Sequence, residues 1–271
     1  MSTDPTRFDT ANMADVYNAG ADAFHDQAPK LLSWEATGKP AMVGALVPEI
    51  EKIGADVVTV ADFGCASGRI ERDVLLPLGV QAANIHGYEI SPDQVALAQA
   101  DPELEGITFD VADITQELPG DPRDEFDIAV QHMVAEHLDD KQLVEASQRI
   151  LAALKAGGMF VMICTHPDRV LHTEADKLAA SADGRSFDTT FPWGGQGRNY
   201  YREVEGYVQA LRDAGFEIES VASLPIPEDS RETNPAQYDN YAAQGYFDKD
   251  GTGTPLDVRL VVTARKPEQA A

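Results

Sequence analysis

The chain has 271 residues, 43% of them hydrophobic, enough for a packed core in one large α/β domain or two small ones. Acids outnumber bases 46 to 21 for a formal net charge of −25; such a field repels phosphate backbones and anionic lipid and argues against nucleic acid or membrane as main partners. The N-terminus MSTDPTRFDT lacks a signal-peptide core and no apolar run reaches spanning length, so a cytoplasmic protein is expected.

Residues 1 to about 12 are polar and expected to be loose. Helical spacing follows over Met13–Phe24 (Met13, Val16, Tyr17, Phe24) and over Ala41–Ile53 (Met42, Leu46, Ile50, Ile53), with a loop expected from Pro29 to Pro40 around Trp34. Val57, Val58, Thr59 and Val60 read as a strand buried on both faces. It ends at Asp62 and opens into Gly64-Cys65-Ala66-Ser67-Gly68, small residues that allow a sharp turn and close approach of the backbone to a ligand. Ile70, Val74 and Leu75 then mark a helix whose N-terminus points into the same crevice. Strand, turn and helix together make a nucleotide-type corner.

A second strand spans Asn84–Ile90 and ends at Glu89. Ser91-Pro92-Asp93-Gln94 starts a helix, with Ser91 as N-cap and Gln94 completing a capping box. Ile107–Phe109 is a brief third strand ahead of Asp113, and Phe126–Val130 is a fourth, leading into Gln131 to Leu138. Asp139 or Asp140 caps the next helix and Gly157-Gly158 closes it; Met159–Cys164 is a fifth strand, ending before His166. This alternation predicts βαβ units, a parallel sheet and ligands at the strands' carboxyl ends. Residues 166–199 then read as an irregular, lid-sized stretch with an ambiguous helical piece at 174–182. Helix Tyr200–Ala214, strand Phe216–Leu224, a second insertion at 225–255 and a last strand at Leu256–Ala264 complete the chain. A single domain over 1–271 is expected: a helical cap (1–53), a cofactor-binding core (54–165), a lid-like insertion (166–199) and the C-terminal part of the sheet (200–271). The two cysteines, Cys65 and Cys164, read as core, with neither disulfide nor metal spacing.

Three carboxylates, Asp62, Glu89 and Asp113, fall at the ends of successive predicted strands. An acid after the second strand accepts both hydroxyls of a ribose and disfavours a ribose phosphate, while Asp113 would face an adenine edge. Each acid alone could merely cap a helix; three at matching places favour a ligand.

The segments ADFGCASG, HGYEIS, DVADI, EFDIAVQHMVAEHL and KAGGMFVMI resemble, in order, the motifs of class I S-adenosylmethionine-dependent methyltransferases, and YYREVEGYVQALRDAGFEIES resembles a segment of the small-molecule members. Ala66 stands where the glycine pattern usually has its third glycine. The resemblance implies a Rossmann-like, doubly wound seven-stranded sheet with the last strand antiparallel. It also implies S-adenosyl-L-methionine as cofactor and S-adenosyl-L-homocysteine as product. The cofactor set it implies is Asp62 with the backbone of Gly64, Cys65, Ala66 and Gly68 near the methionine part, Glu89 and Ile90 at the ribose, Asp113 and Ile114 at adenine, and Gln131 and His132 on the loop after the fourth strand. Tyr17, on the N-terminal helix, is expected over the methionine end. Nicotinamide binding would use a similar corner, but the turn departs from G-x-G-x-x-G and no Tyr-x-x-x-Lys pair is present.

Methyl transfer from a sulfonium is an in-line displacement that needs a base only for hydroxyl or protonated-amine acceptors. His166 is the first choice for that base and His132 the second; His137 reads more simply as packing or hydrogen bonding under its turn. Trp34, His137, Trp193 and Tyr200 are expected to line the pocket of a small organic acceptor. A metal site at His132, Glu136 and His137 is disfavoured because neighbouring side chains diverge. A non-catalytic nucleoside-binding module that recognises a protein, or a protein methyltransferase, is the alternative. Oligomeric state is left open by the sequence.

Overall fold

The computed structural model describes residues 10–191, 193–248, 251 and 253–268. The expected loose stretch lies, for residues 1–9, outside the described residues, and Thr10 already begins a helix. The helices are α1 (Thr10–Ala19), α2 (Ala21–Gln27), α3 (Lys39–Ile53), α4 (Pro92–Ala100), α5 (Asp140–Ala153), α6 (Pro167–Ala180), α7 (Val204–Ala214) and α8 (Pro235–Ala243). The strands are β1 (Val60–Phe63), β2 (Ile85–Glu89), β3 (Thr108–Val111), β4 (Phe126–His132), β5 (Leu154–Thr165), β6 (Ser186–Thr190), β7 (Gln196–Tyr200), β8 (Glu217–Pro225) and β9 (Asp257–Arg265).

Seven strands form one sheet in the order β3-β2-β1-β4-β5-β9-β8, and β9 alone runs antiparallel to its neighbours. The sheet matches the expected doubly wound fold, with the order reversing between β1 and β4, where an open α/β sheet presents its crevice. Alternation along β5 divides the core: Phe160, Met162 and Cys164 pack with α5 and α7, while Met159, Val161 and Ile163 pack on the face covered by α3. Among the described residues no helix is long and apolar enough to cross a membrane.

Several local expectations shift. The first strand runs three residues later than the valine run suggests, and Val57 is 58% exposed. The expected loop from Pro29 to Pro40 is mostly helical: a 3₁₀ turn (Ala28–Lys30) and a π-helical turn (Trp34–Gly38) lead into α3, because Trp34, Thr37 and Gly38 bury beneath the sheet and both prolines sit at first-turn positions. At α4, Ser91 accepts from the Gln94 amide as expected, but the Gln94 side chain is buried without a partner, so the box is half made. Ser91 Oγ instead meets Asn18 Oδ1 at 2.6 Å, docking α1 on α4. A complete box forms at Asp139 and Gln142. Gly157 and Gly158 lie inside β5 rather than closing α5. The stretch 166–199, expected to be irregular, is α6 followed by the hairpin β6–β7, and Tyr200 ends β7 rather than starting α7.

Backbone conformation supplies a direct test. Gly64, in the turn after β1, has φ +98°, and a Cβ there would lie 2.3 Å from Val134 Cγ2. Gly44, exposed in α3, would meet nothing within 4 Å. Gly44→Ala is therefore expected to raise unfolding stability by about 0.5–1 kcal/mol. Gly64→Ala is expected to lower it by about 1–3 kcal/mol. Denaturant midpoints measured on both variants check the pair.

Candidate active site

The turn after β1 is anchored to the end of β2 from two sides. Gly64 and Cys65 N–H donate to Tyr88 O at 2.7 and 3.1 Å. Ala66 N–H donates to Glu89 Oε2 at 3.0 Å, and Ser91 N–H donates to Glu89 Oε1 at 2.9 Å. Burial pushes the Glu89 carboxyl up from its ordinary value, and the amides of Ser91, Ala66 and Ile90 pull it back towards ionisation. Ala66 takes φ +50°, a left-handed conformation that glycine adopts more readily, which accounts for the residue type usual at that place.

Above this turn lies a cavity of about 340 Å³. Its lining includes Gly64, Ala66, Glu89, Ile90, Asp113, Ile114, Tyr17 and His132 from the predicted cofactor set. It also includes all four expected acceptor-pocket residues, Trp34, His137, Trp193 and Tyr200. Asp62, Cys65, Gly68 and Gln131 do not line it; Asp62 and Gln131 are nearly inaccessible, and neither Asp62 oxygen nor Gln131 Oε1 has a hydrogen-bond partner. Asp113 Oδ1 accepts from Thr115 N and Oγ1 at 2.9 and 2.8 Å, which shapes the loop after β3.

The histidines part company. His166 is the N-cap of α6, 4% exposed and absent from the cavity wall. Its Nδ1 accepts from Asp168 N–H at 3.1 Å, so Nε2 carries the proton towards Ser223 Oγ at 2.9 Å. Both nitrogens are engaged away from the cavity, and the expected base is not placed to act there. With Asp168 and Asp257 its ligand atoms fall within 4.8 Å of one another, on that same outer side. His132 does line the cavity, but Nδ1 meets Arg69 Nη2 at 2.9 Å; burial, then Arg69 and Arg259, hold its pKa well below the usual value, so it stays neutral. His137 is hydrogen-bonded through both ring nitrogens: Nδ1–H donates to Arg198 O at 3.3 Å, leaving Nε2 to accept from Tyr17 OH at 3.2 Å.

Over these groups α1, α2 and the β6–β7 turn form an aromatic cover. Phe191 and Trp193 stack at 5.1 Å, Tyr17 lies 5.8 and 6.1 Å from them, and Phe24 meets Trp193 edge-on at 4.7 Å. Several buried polar atoms on cavity-lining residues have no hydrogen-bond partner: Glu136 Oε2, Arg69 Nε, Arg259 Nε, Trp193 Nε1 and Asn199 Oδ1. Buried polar groups are normally satisfied, so such a set marks a place where bound groups complete the bonding.

Residues 60–158 match the family described as methyltransferase domain. The chain carries a methyltransferase domain, and its matches support S-adenosylmethionine as the methyl donor. The methyltransferase is 27% identical over 233 residues to an N-demethylindolmycin N-methyltransferase of Streptomyces griseus, covering 82% of this chain and 92% of that one. Its fold is similar to that of an S-adenosylmethionine-dependent methyltransferase from Mesorhizobium loti (TM-score 0.55, 21% identity, 80% of this chain and 96% of that one). It is also similar to a chain from the Haloferax volcanii complex that contains the Trm112 methyltransferase activator (TM-score 0.61, 18% identity, 95% and 99%).

Sequence reasoning passed over Arg69 and Arg259, both at the cavity, because a lone arginine carries no spacing signal. Arg69 sits over Trp34 at 4.3 Å and donates to Ala28 O at 3.2 Å. It also passed over Glu71, which is fully buried behind the turn with neither oxygen partnered. Burial pushes the Glu71 carboxyl up to about 8, and burial with Glu71 as neighbour raises Asp62 as well. A raised carboxyl stabilises the fold below its ordinary range, and that contribution is lost as pH rises through the folded value. Glu71→Gln removes one such group. Its stability is expected to fall less than the parent's between pH 5.5 and 8, by up to about 1.4 kcal/mol per pH unit. Thermal unfolding at the two pH values measures the difference.

Proposed function

We propose that the methyltransferase acts on a small organic acceptor held in the covered, aromatic flank of its cavity. The observation that carries this reading is the continuity of that flank with the acidic corner at Glu89: one cavity runs from the turn to the Tyr17, Trp34 and Trp193 cover. A protein methyltransferase needs an open groove, whereas here the N-terminal helices and the β6–β7 turn meet over the site. The likeness to an N-methyltransferase acting on N-demethylindolmycin supports the same class of acceptor.

When bound, S-adenosylmethionine supplies an electrophilic methyl group on sulfur. The residues present suit it: Gly64 leaves room at the turn, Glu89 keeps lone pairs beyond its two backbone bonds for ribose hydroxyls, and Asp113 and Ile114 border the adenine side. On the acceptor side, Tyr17 is held as a neutral phenol by burial and by Glu89 and Glu136, donating to His137. It thereby ties the cover to the loop after β4. Glu136 lines the cavity; its Oε1 accepts from Thr165 Oγ1 at 2.9 Å, while Oε2 is buried without a hydrogen-bond partner. We assign Glu136, in place of His166, as the group that takes a proton from a hydroxyl or ammonium acceptor.

Incubation with methyl-labelled S-adenosylmethionine and a cell extract should place label in the small-molecule fraction; label confined to protein would refute the reading. Glu89→Ala should weaken S-adenosylhomocysteine binding by about 1–3 kcal/mol, as measured by calorimetry. Glu136→Gln should lower the transfer rate by roughly 10²-fold or more while leaving that affinity in place.

A further inference from the structure

We infer that the acceptor carries a carboxylate, seated on Arg259 and Arg169 at the β5–β9 side of the cavity; this rests on the small-molecule reading above. Arg259 lies opposite Thr165 in the β5–β9 register and is 3% exposed. Its Nη1 donates to Val258 O at 3.0 Å and its Nη2 to Ser33 Oγ at 2.9 Å, while Nε is buried with no partner. Arg169, on α6, donates from Nε to Tyr246 OH at 3.2 Å. Both line the cavity, and among the described residues neither forms an ion pair.

That is unusual for this chain. Acids outnumber bases 46 to 21, and Arg72, Arg185, Arg198, Arg202, Arg212 and Arg265 each pair with one. Burying a guanidinium without a counter-ion, near a second of the same sign, is costly unless a bound anion offsets it. The mutual influence of the two is visible in Arg259, whose pKa is lowered by burial and then by Arg169. On this flank Glu136 supplies one negative charge and Glu174 is already paired with Lys177 at 2.7 Å. Glu136 acts on both Arg169 and Arg259, and Arg69 adds further positive charge beside Arg259, so the seat keeps a net positive charge that a bound carboxylate offsets.

The donor does not account for it. The acids expected at its adenosine are Glu89, which ends β2, and Asp113, which follows β3; both strands lie on the opposite side of β1 from β5 and β9. Arg69, directly after the turn, is the guanidinium at the donor's end, with its own unpartnered Nε. A planar carboxylate suits the guanidinium fork, and the aromatic walls suit an aromatic body attached to it.

The test measures binding of matched acids and amides to the full chain saturated with S-adenosylhomocysteine: phenylacetate against phenylacetamide, indole-3-acetate against indole-3-acetamide, and phenyl phosphate as a further anion. The acids should bind at least tenfold tighter than their amides. Arg259→Gln should bring each pair within about twofold, Arg169→Gln should reduce the preference, and Arg259→Lys should keep part of it. S-adenosylhomocysteine affinity should stay within about twofold throughout, which also shows that the variants fold. Should Arg259→Gln fail to fold, Arg169→Gln and Arg259→Lys decide. Equal affinity of acid and amide, no measurable binding of any acid, or a preference that survives these substitutions overturns the inference. So does tighter binding of phenyl phosphate than of phenylacetate, or loss of S-adenosylhomocysteine affinity in Arg259→Gln. Arginine-dependent acid binding in a protein that labels no small molecule would uphold the anion seat and remove the reading beneath it.

Discussion

The Glu89 carboxylate is the point on which the site depends. One oxygen receives the Ala66 amide from the turn after β1 and the other receives the Ser91 amide at the start of α4. One side chain thus fixes the spacing of two loops that belong to neighbouring strands. Tyr88 O, accepting from Gly64 and Cys65, makes the same connection through the backbone. Because the group is buried, these amides also keep its charge affordable: without them, desolvation alone would favour the neutral acid. Geometry and ionisation come from the same bonds.

The arrangement around that carboxylate was legible in the sequence for physical reasons. Parallel strands buried on both faces read as apolar runs, and the small residues from Gly64 to Gly68 can only be a tight turn in such a context. Acids at strand ends share an edge of the sheet by topology alone; Glu89 and Asp113 line the cavity, whereas Asp62 is buried off it. What stayed unread depended on contacts between distant segments. The Pro29–Pro40 stretch looked like a loop from its prolines, yet burial of Trp34 made it helical. His166 pointed to a base because it follows a strand, but its ring serves as a helix cap, which spacing cannot show. The β6–β7 hairpin has no strong alternation, and β7 packs on α1 and on the turn at Ala135–His137, both distant in sequence.

Charge of both signs is buried in this chain: Glu49, Asp62, Glu71, Glu89 and Glu136 lie inside, and so do Arg202 and Arg259. Arg69 is held by Ala28 O, His132 and the Trp34 ring, and Arg202 by Asp140, Ala135 O and Leu138 O. Such buried charges act on the cavity with little screening, since the local dielectric is low. Burial first, and then Arg69 and Arg259, keep His132 neutral.

The cover is built from both ends of the motif-bearing core. Tyr17 arrives from the N-terminal helices and Arg198 from the hairpin that follows β5, and His137 stands between them with one ring nitrogen for each. Asn18, one residue on, fastens the same helix to Ser91. A ligand passing between the N-terminal helices and the hairpin has to part these bonds. By that route entry and departure are coupled to breaking a short relay of weak contacts, and the frequency with which the roof lifts enters the turnover rate alongside bond formation.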